Sequence, residues 1–149
     1  MIYRSTKTWG HEVGLSCAFR QWRADSHCAL IHGYALSVKV EFEARALDHR
    51  NWVIDFGSLK EVKAWLQEQF DHRLLVARDD PNLSLFMEMD KTGVASVNVV
   101  NAVGCEAFAE MIFWRVAAWL LEEDHSPRVE LVSVEVREHG ANSAIYKRP

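Results

Sequence analysis

Hydrophobic and polar residues alternate most regularly along residues 34–42. Apolar side chains occupy every second position there, namely Tyr34, Leu36, Val38, Val40 and Phe42. This period of two predicts a half-buried β-strand. We expect a preceding strand over about residues 12–21, joined to the first by a loop that holds residues 25–31. Cys28 therefore lies on or beside a loop, where reactive groups are commonly placed.

Two later segments have the spacing of amphipathic helices. The segment "DFGSLKEVKAWLQEQF", residues 55–70, places Leu59, Val62, Leu66 and Phe70 on one stripe. In it, Ser58 and Glu61 match a capping box. A second helix is predicted over residues 104–122, with an apolar face formed by Phe108, Ile112, Val116, Trp119 and Leu120. Residues 94–100 are interpreted as loop and short strand.

The last predicted strand ends on a carboxylate. After Pro127, Val132, Val134 and Val136 share one face of a strand, and Glu138 is the next residue on that face. One interpretation is a strand end that reaches solvent, because acids are rarely buried without partners. The other is an anchor for a ligand with paired N–H donors, since an ionised carboxylate accepts two such hydrogen bonds.

Strands of period two combined with two amphipathic helices predict an α+β fold, with two helices on one face of an antiparallel sheet. With 149 residues, of which 49% are hydrophobic, the chain has the size of a single domain spanning residues 1–149. The edges of such a sheet need pairing or protection, so we expect a homo-oligomer.

Composition excludes several classes of protein. The net charge of -4, without an extended basic cluster, argues against a nucleic-acid partner. No segment approaches the roughly 20 apolar residues that a membrane-spanning helix requires, so no membrane association is expected. Three cysteines cannot all pair within one chain, and this favours a reduced, cytoplasmic protein.

Six segments in order resemble the 6-pyruvoyltetrahydropterin synthase and 6-carboxytetrahydropterin synthase family. They are "LSCAF" for F-S-A-A-H, "CALIHGY" for C-x-x-x-H-G-H, "NWVIDFGSLK", "FDHRLL", "CEAFA" and "VSVEVREHGANSAIY". The resemblance implies the tunnelling fold (T-fold), in which strands of neighbouring subunits complete a barrel and active sites lie at subunit interfaces. It also implies a trimer or hexamer, and a lyase that acts on 7,8-dihydroneopterin triphosphate or a close pterin analogue in the 7-deazaguanine route to queuosine.

The same resemblance assigns roles to individual residues. Cys28 would be the catalytic base, supported by the pair Asp71 and His72, while Glu138 would hold the pterin ring and Glu106 would lie near it. A thiolate can remove a carbon-bound proton if nearby positive charge lowers its pKa. Without the family pattern, Cys28 is interpreted as a small buried hydrophobe, and the Asp71–His72 pair as the solvated end of a helix.

The zinc site implied by the resemblance is incomplete. The family holds zinc through three histidines, and the matching positions in this sequence are Phe19, His32 and Tyr34. Three explanations stay open: His27, Cys17 or His11 replaces a ligand; Tyr34 donates a hydrogen bond in place of the metal; or the original reaction is lost. We expect zinc to be absent or weakly bound. The alternative to a lyase is a non-catalytic pterin- or purine-binding protein.

Overall fold

The computed structural model describes residues 1–148 and shows, within that range, seven β-strands and three α-helices. The strands are β1 (Tyr3–Trp9), β2 (Leu15–Phe19), β3 (His32–Ala44), β4 (Arg73–Ala77), β5 (Val97–Val100), β6 (Val129–His139) and β7 (Asn142–Lys147). The helices are α1 (Lys60–Phe70), α2 (Leu83–Lys91) and α3 (Cys105–Glu122). The predicted α+β class is confirmed.

The seven strands form a sheet of order β5-β4-β2-β3-β6-β7, and β1 pairs with β3 beside β2. The pairs formed by β3 and by β7 are antiparallel, as predicted. The β2–β4 and β4–β5 pairs are parallel, which the prediction of an antiparallel sheet missed. Parallel neighbours need a crossover connection, and α1 precedes β4 while α2 links β4 to β5.

Helices cover both faces of the sheet. α1 and α3 pack on one face, as predicted, and their side chains Phe70, Phe108 and Ile112 belong to the main core. α2 was not predicted, and its Phe86 packs with Leu74 and Val76 in a second cluster. Because successive side chains of a strand point to opposite faces, and Leu75 belongs to the main core, α2 covers the opposite face. A nine-residue helix with one buried side chain leaves little periodic signal.

The boundaries of the predicted elements mostly agree with the structure. β3 extends the predicted strand by two residues at each end, and α3 confirms the predicted helix over 104–122. The strand predicted over 12–21 is the shorter β2, preceded by a 3-10 turn, His11–Val13. β1 was missed because, of its seven side chains, Trp9 is the one that is buried. Within 94–100, β5 is the predicted short strand.

The predicted capping box is wrong. Residues Phe56–Leu59 form a 3-10 turn capped by Asp55, whose carboxylate accepts a hydrogen bond from the Gly57 amide at 2.8 Å. The Ser58 hydroxyl donates to the Asp55 carbonyl at 2.6 Å and so does not cap α1. α1 therefore begins at Lys60, after this turn.

β6 carries two irregularities that simple alternation does not predict. The pairing with β3 shifts between Glu41 and Phe42, which leaves Val132 as an extra residue. Val134 and Val136 are fully buried, whereas Val132 is half-buried. The second shift concerns Glu138.

Within residues 1–148, no helix has the length and apolar content required to cross a membrane.

Candidate functional site

β3 and β6 separate at one end of the sheet. Their pairing begins at Ser37, so the first part of β3, which carries Tyr34, lies beyond it. On β6 the pairing with β7 shifts between Arg137 and His139, and Glu138 becomes the extra residue of a β-bulge. Bulges bend a strand and re-aim a side chain. The half-buried Glu138 lies next to Tyr34, and we call the space between these strands the site cleft.

Two neutral donors face the Glu138 carboxylate. Burial and the nearby Glu138 charge raise the pKa of the Tyr34 phenol, with further contributions from the thiols of Cys28 and Cys105. Burial, followed by the charges of Glu138 and Glu106, raises the pKa of Cys105 to about 12. The phenol and the Cys105 thiol are therefore protonated at neutral pH and able to donate. No arginine or lysine within residues 1–148 forms an ion pair with Glu138.

Cys28 lies on a short 3-10 turn, His27–Ala29, and is half-buried. Its amide donates a hydrogen bond to the Ser26 hydroxyl at 3.3 Å, and its carbonyl accepts one from the Gln21 amide at 2.9 Å. The thiol lies close enough to Tyr34 to affect the pKa of the phenol. Cys28, Tyr34 and Glu138, which the sequence predicted as site residues, are thus brought together within one protomer.

Glu106 lies at the same end of the sheet. It is exposed in the first turn of α3, directly after Cys105, and its charge acts on the Cys105 thiol. Since that thiol also faces Glu138, the two carboxylates flank one buried cysteine. Cys105 is not among the site residues predicted from the sequence. Its position beside Glu138 depends on how α3 packs against β6, so no local motif indicates it.

The three positions that match the family's zinc histidines lie side by side. Phe19 is directly opposite His32 in the β2–β3 register, and Tyr34 lies two residues further along β3. Their ring centroids are 5.2 Å apart for Phe19–His32, 5.5 Å for His32–Tyr34 and 6.1 Å for Phe19–Tyr34. The Phe19 ring is 3% exposed and stacks edge-on against Phe108. At this position one imidazole faces two aromatic rings.

This donor set does not fit zinc. His32 Nδ1 is 2.7 Å from the Leu30 carbonyl and must donate to it, which leaves Nε2 as the single nitrogen available for a metal. A structural or catalytic zinc needs at least three protein ligands. Within the described range 1–148, no group of three His, Cys, Asp or Glu side chains is placed to hold a metal ion.

The replacement ligands considered from the sequence, Cys17, His11 and His27, do not form a group of three with His32 within residues 1–148. Cys17 shares the face of Tyr34, and burial and the nearby Cys105 raise the pKa of its thiol to about 12, so without a metal the thiol is protonated at neutral pH. His11 is exposed, and its Nδ1 contacts the Ala35 carbonyl at 2.5 Å. His27 is exposed on the Cys28 turn.

Asp71 and His72 lie between α1 and β4, where their side chains pair with each other. His72 Nδ1 contacts the Asp71 carboxylate at 2.7 Å, and the imidazole is 89% exposed. His72 lines an open groove of about 530 Å³ together with Ser16 and Ala35. Cys17 and Tyr34 also border this groove. Their side chains alternate with those of Ser16 and Ala35 along β2 and β3, so the Cys17 thiol and the Tyr34 ring point to the other face of the sheet.

His72 has an unusual backbone conformation, with φ of 56°. Left-handed φ is uncommon for residues other than glycine. The His72 amide donates a hydrogen bond to the Ser16 carbonyl at 2.6 Å, which holds the turn against β2. The paired Asp71 and His72 side chains are therefore presented outward from a fixed backbone.

Comparisons with known proteins agree with the fold. A family model described as "6-pyruvoyl tetrahydropterin synthase" matches residues 10–149. The chain is 36% identical over 62 residues to 6-carboxy-5,6,7,8-tetrahydropterin synthase of Rickettsia felis. That match covers 41% of the chain and 45% of the Rickettsia protein, so it spans under half of either. The Aquifex aeolicus protein of the same name is 24% identical over 147 residues, covering 93% of the chain and 91% of that protein.

Solved structures share the architecture at low sequence identity. An uncharacterized protein from Wolinella succinogenes superposes with a TM-score of 0.84 at 21% identity, covering 100% of the chain and 99% of that protein. The 6-pyruvoyl tetrahydropterin synthase of Plasmodium vivax gives a TM-score of 0.73 at 16% identity, covering 99% and 98% of the two chains. These structures establish the T-fold of the protomer.

Proposed function

The chain belongs to the 6-pyruvoyl tetrahydropterin synthase family, and we propose that it is a lyase of the 6-carboxytetrahydropterin synthase type. Its substrate is 7,8-dihydroneopterin triphosphate or a close pterin analogue, in the 7-deazaguanine route to queuosine. The observation that carries this proposal is the placement of Cys28, Tyr34 and Glu138 around one cleft. The similarity to proteins named 6-carboxy-5,6,7,8-tetrahydropterin synthase supports the type of lyase.

Glu138 is suited to hold the amino-pyrimidinone edge of a pterin. The carboxylate has two oxygens, which accept two parallel N–H donors from that edge. Within residues 1–148 the neutral Tyr34 phenol and Cys105 thiol face it as donors, and no arginine or lysine of this range forms an ion pair with it, so a ligand meets a charged carboxylate. Bound in this way, the ring lies across the cleft with its side chain toward Cys28 and Tyr34.

Cys28 and Tyr34 divide the proton chemistry between them. As a thiolate, Cys28 takes up a carbon-bound proton of the substrate side chain. The electron pair of that C–H bond forms a carbon–carbon double bond, and the C–O bond on the neighbouring carbon breaks to release the triphosphate with its electron pair. The Tyr34 phenol stays protonated at neutral pH because its pKa is raised. It donates a hydrogen bond to the substrate's side-chain oxygen as negative charge develops there, which is a form of transition-state stabilisation.

We propose that the protein performs this chemistry without zinc. In the family the metal supplies electrostatic stabilisation to the substrate's hydroxyls. The ring of Phe19 and the phenol of Tyr34 provide no imidazole at two of the three ligand positions. A hydrogen-bond donor polarises a substrate oxygen less strongly than a metal ion does. The substrate of this protein therefore has a side-chain oxygen that needs less polarisation, or its turnover is slower than in enzymes that use zinc.

The assembly we propose is a cytoplasmic homo-oligomer, a trimer or hexamer, in which a neighbouring copy brings Asp71 and His72 to the cleft. Within one protomer His72 borders a groove with Ser16 and Ala35, whose side chains are on the face opposite the Tyr34 ring. In the part of the chain that the structure describes, β5 and β7 each pair along one edge. Their outer edges are free to complete a barrel with other copies. The three cysteines are free in residues 1–148, which suits a reducing compartment.

The second candidate is a non-catalytic pterin- or purine-binding protein. It is favoured by the aromatic residues at two positions of the zinc site, because binding through Glu138 does not require the metal. The two functions differ in their dependence on Cys28. Cys28→Ala abolishes turnover in a lyase, whereas a binding protein with this substitution retains its affinity for the pterin.

The test is turnover of 7,8-dihydroneopterin triphosphate by chelator-treated protein, with and without added zinc, followed by mass spectrometry. Turnover without zinc that is lost in Cys28→Ala and reduced in Tyr34→Phe supports the proposal. Turnover that requires zinc refutes the metal-free mechanism. Binding without turnover favours the second candidate, and Glu138→Gln then weakens binding by about 1.5–3 kcal/mol, the contribution of a hydrogen bond to a charged group. Unchanged binding in Glu138→Gln refutes the orientation of the ring.

A further inference from the structure

The loop between β2 and β3, which carries Cys28, is attached to the rest of the protein through Arg20. Arg20 Nε and Nη2 donate to the two oxygens of Asp80 at 2.9 and 2.7 Å. The Asp80 side chain is 1% exposed and that of Arg20 18%, so the pair is largely removed from water. A paired, bidentate geometry of this kind fixes the guanidinium plane as well as its position.

The guanidinium also reaches the turn that contains Cys28. Its third nitrogen, Nη1, donates to the Ala29 carbonyl at 3.3 Å. The neighbouring Gln21 amide donates to the Cys28 carbonyl at 2.9 Å, and the Gln21 side chain donates to the Val103 carbonyl at 3.4 Å. The carbonyls of Cys28 and Ala29 are therefore held by the two residues that follow β2.

A second aspartate strengthens the attachment. Asp79 precedes Asp80 in the connection between β4 and α2, and it accepts hydrogen bonds from Arg23 Nη2 at 2.7 Å and from Trp22 Nε1 at 3.2 Å. Asp80 itself also accepts from the Asn82 amide at 2.8 Å, which ties it to the start of α2. Two adjacent carboxylates thus bind three side chains at the start of the Cys28 loop.

From these contacts we infer that Arg20 is a positioning residue for Cys28, held in place by Asp80. The Arg20–Asp80 pair fixes the Cys28 turn relative to β4 and α2, and so fixes the distance between the thiol and Tyr34. The inference rests on the proposed function in that it takes Cys28 to be the catalytic base. Lysine cannot replace Arg20, because one ammonium group cannot reach both Asp80 oxygens and the Ala29 carbonyl with the same planar geometry.

The test compares Arg20→Lys and Asp80→Asn with a matched control, Arg128→Lys. Arg128 also holds a loop through backbone carbonyls, those of Ala46, Trp52 and Val53, but that loop lies outside the site cleft. The first readout is the rate at which iodoacetamide alkylates Cys28 in the folded, full-length protein, measured by mass spectrometry. The second is the separate effect on kcat and KM with 7,8-dihydroneopterin triphosphate.

We expect Arg20→Lys to raise the alkylation rate about tenfold, the factor associated with loss of a charge-assisted hydrogen bond. Asp80→Asn raises it less, because an amide oxygen still accepts one hydrogen bond, and Arg128→Lys leaves it unchanged. In the lyase, Arg20→Lys lowers kcat, by up to about 100-fold for a displacement near 1 Å. KM stays nearly constant because Glu138 still binds the ring.

Several results overturn the inference. An alkylation rate in Arg20→Lys equal to that of the wild type or of Arg128→Lys shows that Arg20 does not position Cys28. If Arg20→Lys does not fold, Asp80→Asn decides in the same way. A protein that has no turnover refutes the lyase but leaves the alkylation comparison intact, so failure of the proposed function is distinguishable from failure of this inference.

Discussion

Introducing histidines at positions 19 and 34 is predicted to create a zinc site in this protein. In the variant Phe19→His/Tyr34→His, three imidazoles occupy neighbouring positions on β2 and β3. In a tetrahedral site with Zn–N distances of about 2.0–2.1 Å, the ligand nitrogens are about 3.3 Å apart and the imidazole centres about 5 Å apart. The present ring centroids are separated by 5.2, 5.5 and 6.1 Å. One pair has to approach by roughly 1 Å, within the range of rotamer adjustment.

Two opposing free energies determine the stability of this variant: the cost of the substitutions and the gain from zinc binding. Replacing the buried Phe19 ring by imidazole removes its contact with Phe108 and buries a polar group, which destabilises the metal-free variant by about 1–3 kcal/mol. Zinc at a free concentration of 100 times its Kd stabilises the folded variant by about 2.7 kcal/mol. Because Tm changes by about 2–4 °C per kcal/mol for a protein of this size, zinc raises the Tm of the variant by several degrees. It leaves the wild-type Tm unchanged.

The assay is thermal unfolding with and without zinc, together with calorimetric titration of chelator-treated protein. The variant Phe19→His/Tyr34→His/His32→Ala is the control, because it keeps both substitutions and loses the histidine that is already oriented by Leu30. Equal zinc affinity in the double and triple variants contradicts a site built from three imidazoles. Equal affinity in the wild type and the double variant shows that the wild-type residues hold zinc after all.

Three further predictions concern single residues. Iodoacetamide at neutral pH labels one thiol of the folded protein, that of Cys28, and all three thiols in urea. The reason is that burial raises the pKa of Cys17 and of Cys105 to about 12 in the folded protein. Labelling of all three thiols without denaturant contradicts this prediction. Hydrogen bonds from Arg20 hold the pKa of the Asp80 carboxyl below the ordinary value of 3.8. The Arg20–Asp80 pair therefore stabilises the folded protein above pH 3.8, and this contribution is lost as the pH falls through the pKa of the folded state. Urea titrations should accordingly show wild type and Asp80→Asn converging in acid, and a constant difference refutes the linkage. Gly33→Ala places a Cβ 2.5 Å from the Cys17 carbonyl and lowers the free energy of unfolding by about 1–3 kcal/mol, whereas Gly140→Ala, with no atom within 4 Å, does not.

The sequence predicts elements well where burial is periodic. β3 and α3 are found almost to their ends because each buries a regular stripe against the main core. β1 and α2 are missed because each buries one side chain, so tertiary pairing rather than local pattern decides their conformation. The same reason explains the parallel pairs of β4, since the order of strands in a sheet depends on crossovers that no local pattern records.

For the site, local motifs identify residues but not their distances. The approach of Tyr34 to Glu138 depends on a bulge in β6, which leaves no mark in the alternation of Val134 and Val136. The partnership of Arg20 with Asp80 joins positions 60 residues apart, so no local pattern in the sequence indicates it. The position of His72 beside β2, at a groove that Ser16 and Ala35 also border, likewise follows from the fold of the whole sheet.

The separation of β3 from β6 has a consequence for which side chains this cleft can accept. The walls of the cleft are set where backbone pairing stops at Ser37 and where β6 bulges at Glu138. Backbone hydrogen bonds hold both features, and no metal ligand takes part in them. Histidines can therefore be exchanged for aromatic residues at Phe19 and Tyr34 while the cleft keeps its shape. Substitutions at these two positions therefore change the chemical groups in the cleft without changing the backbone that forms its walls.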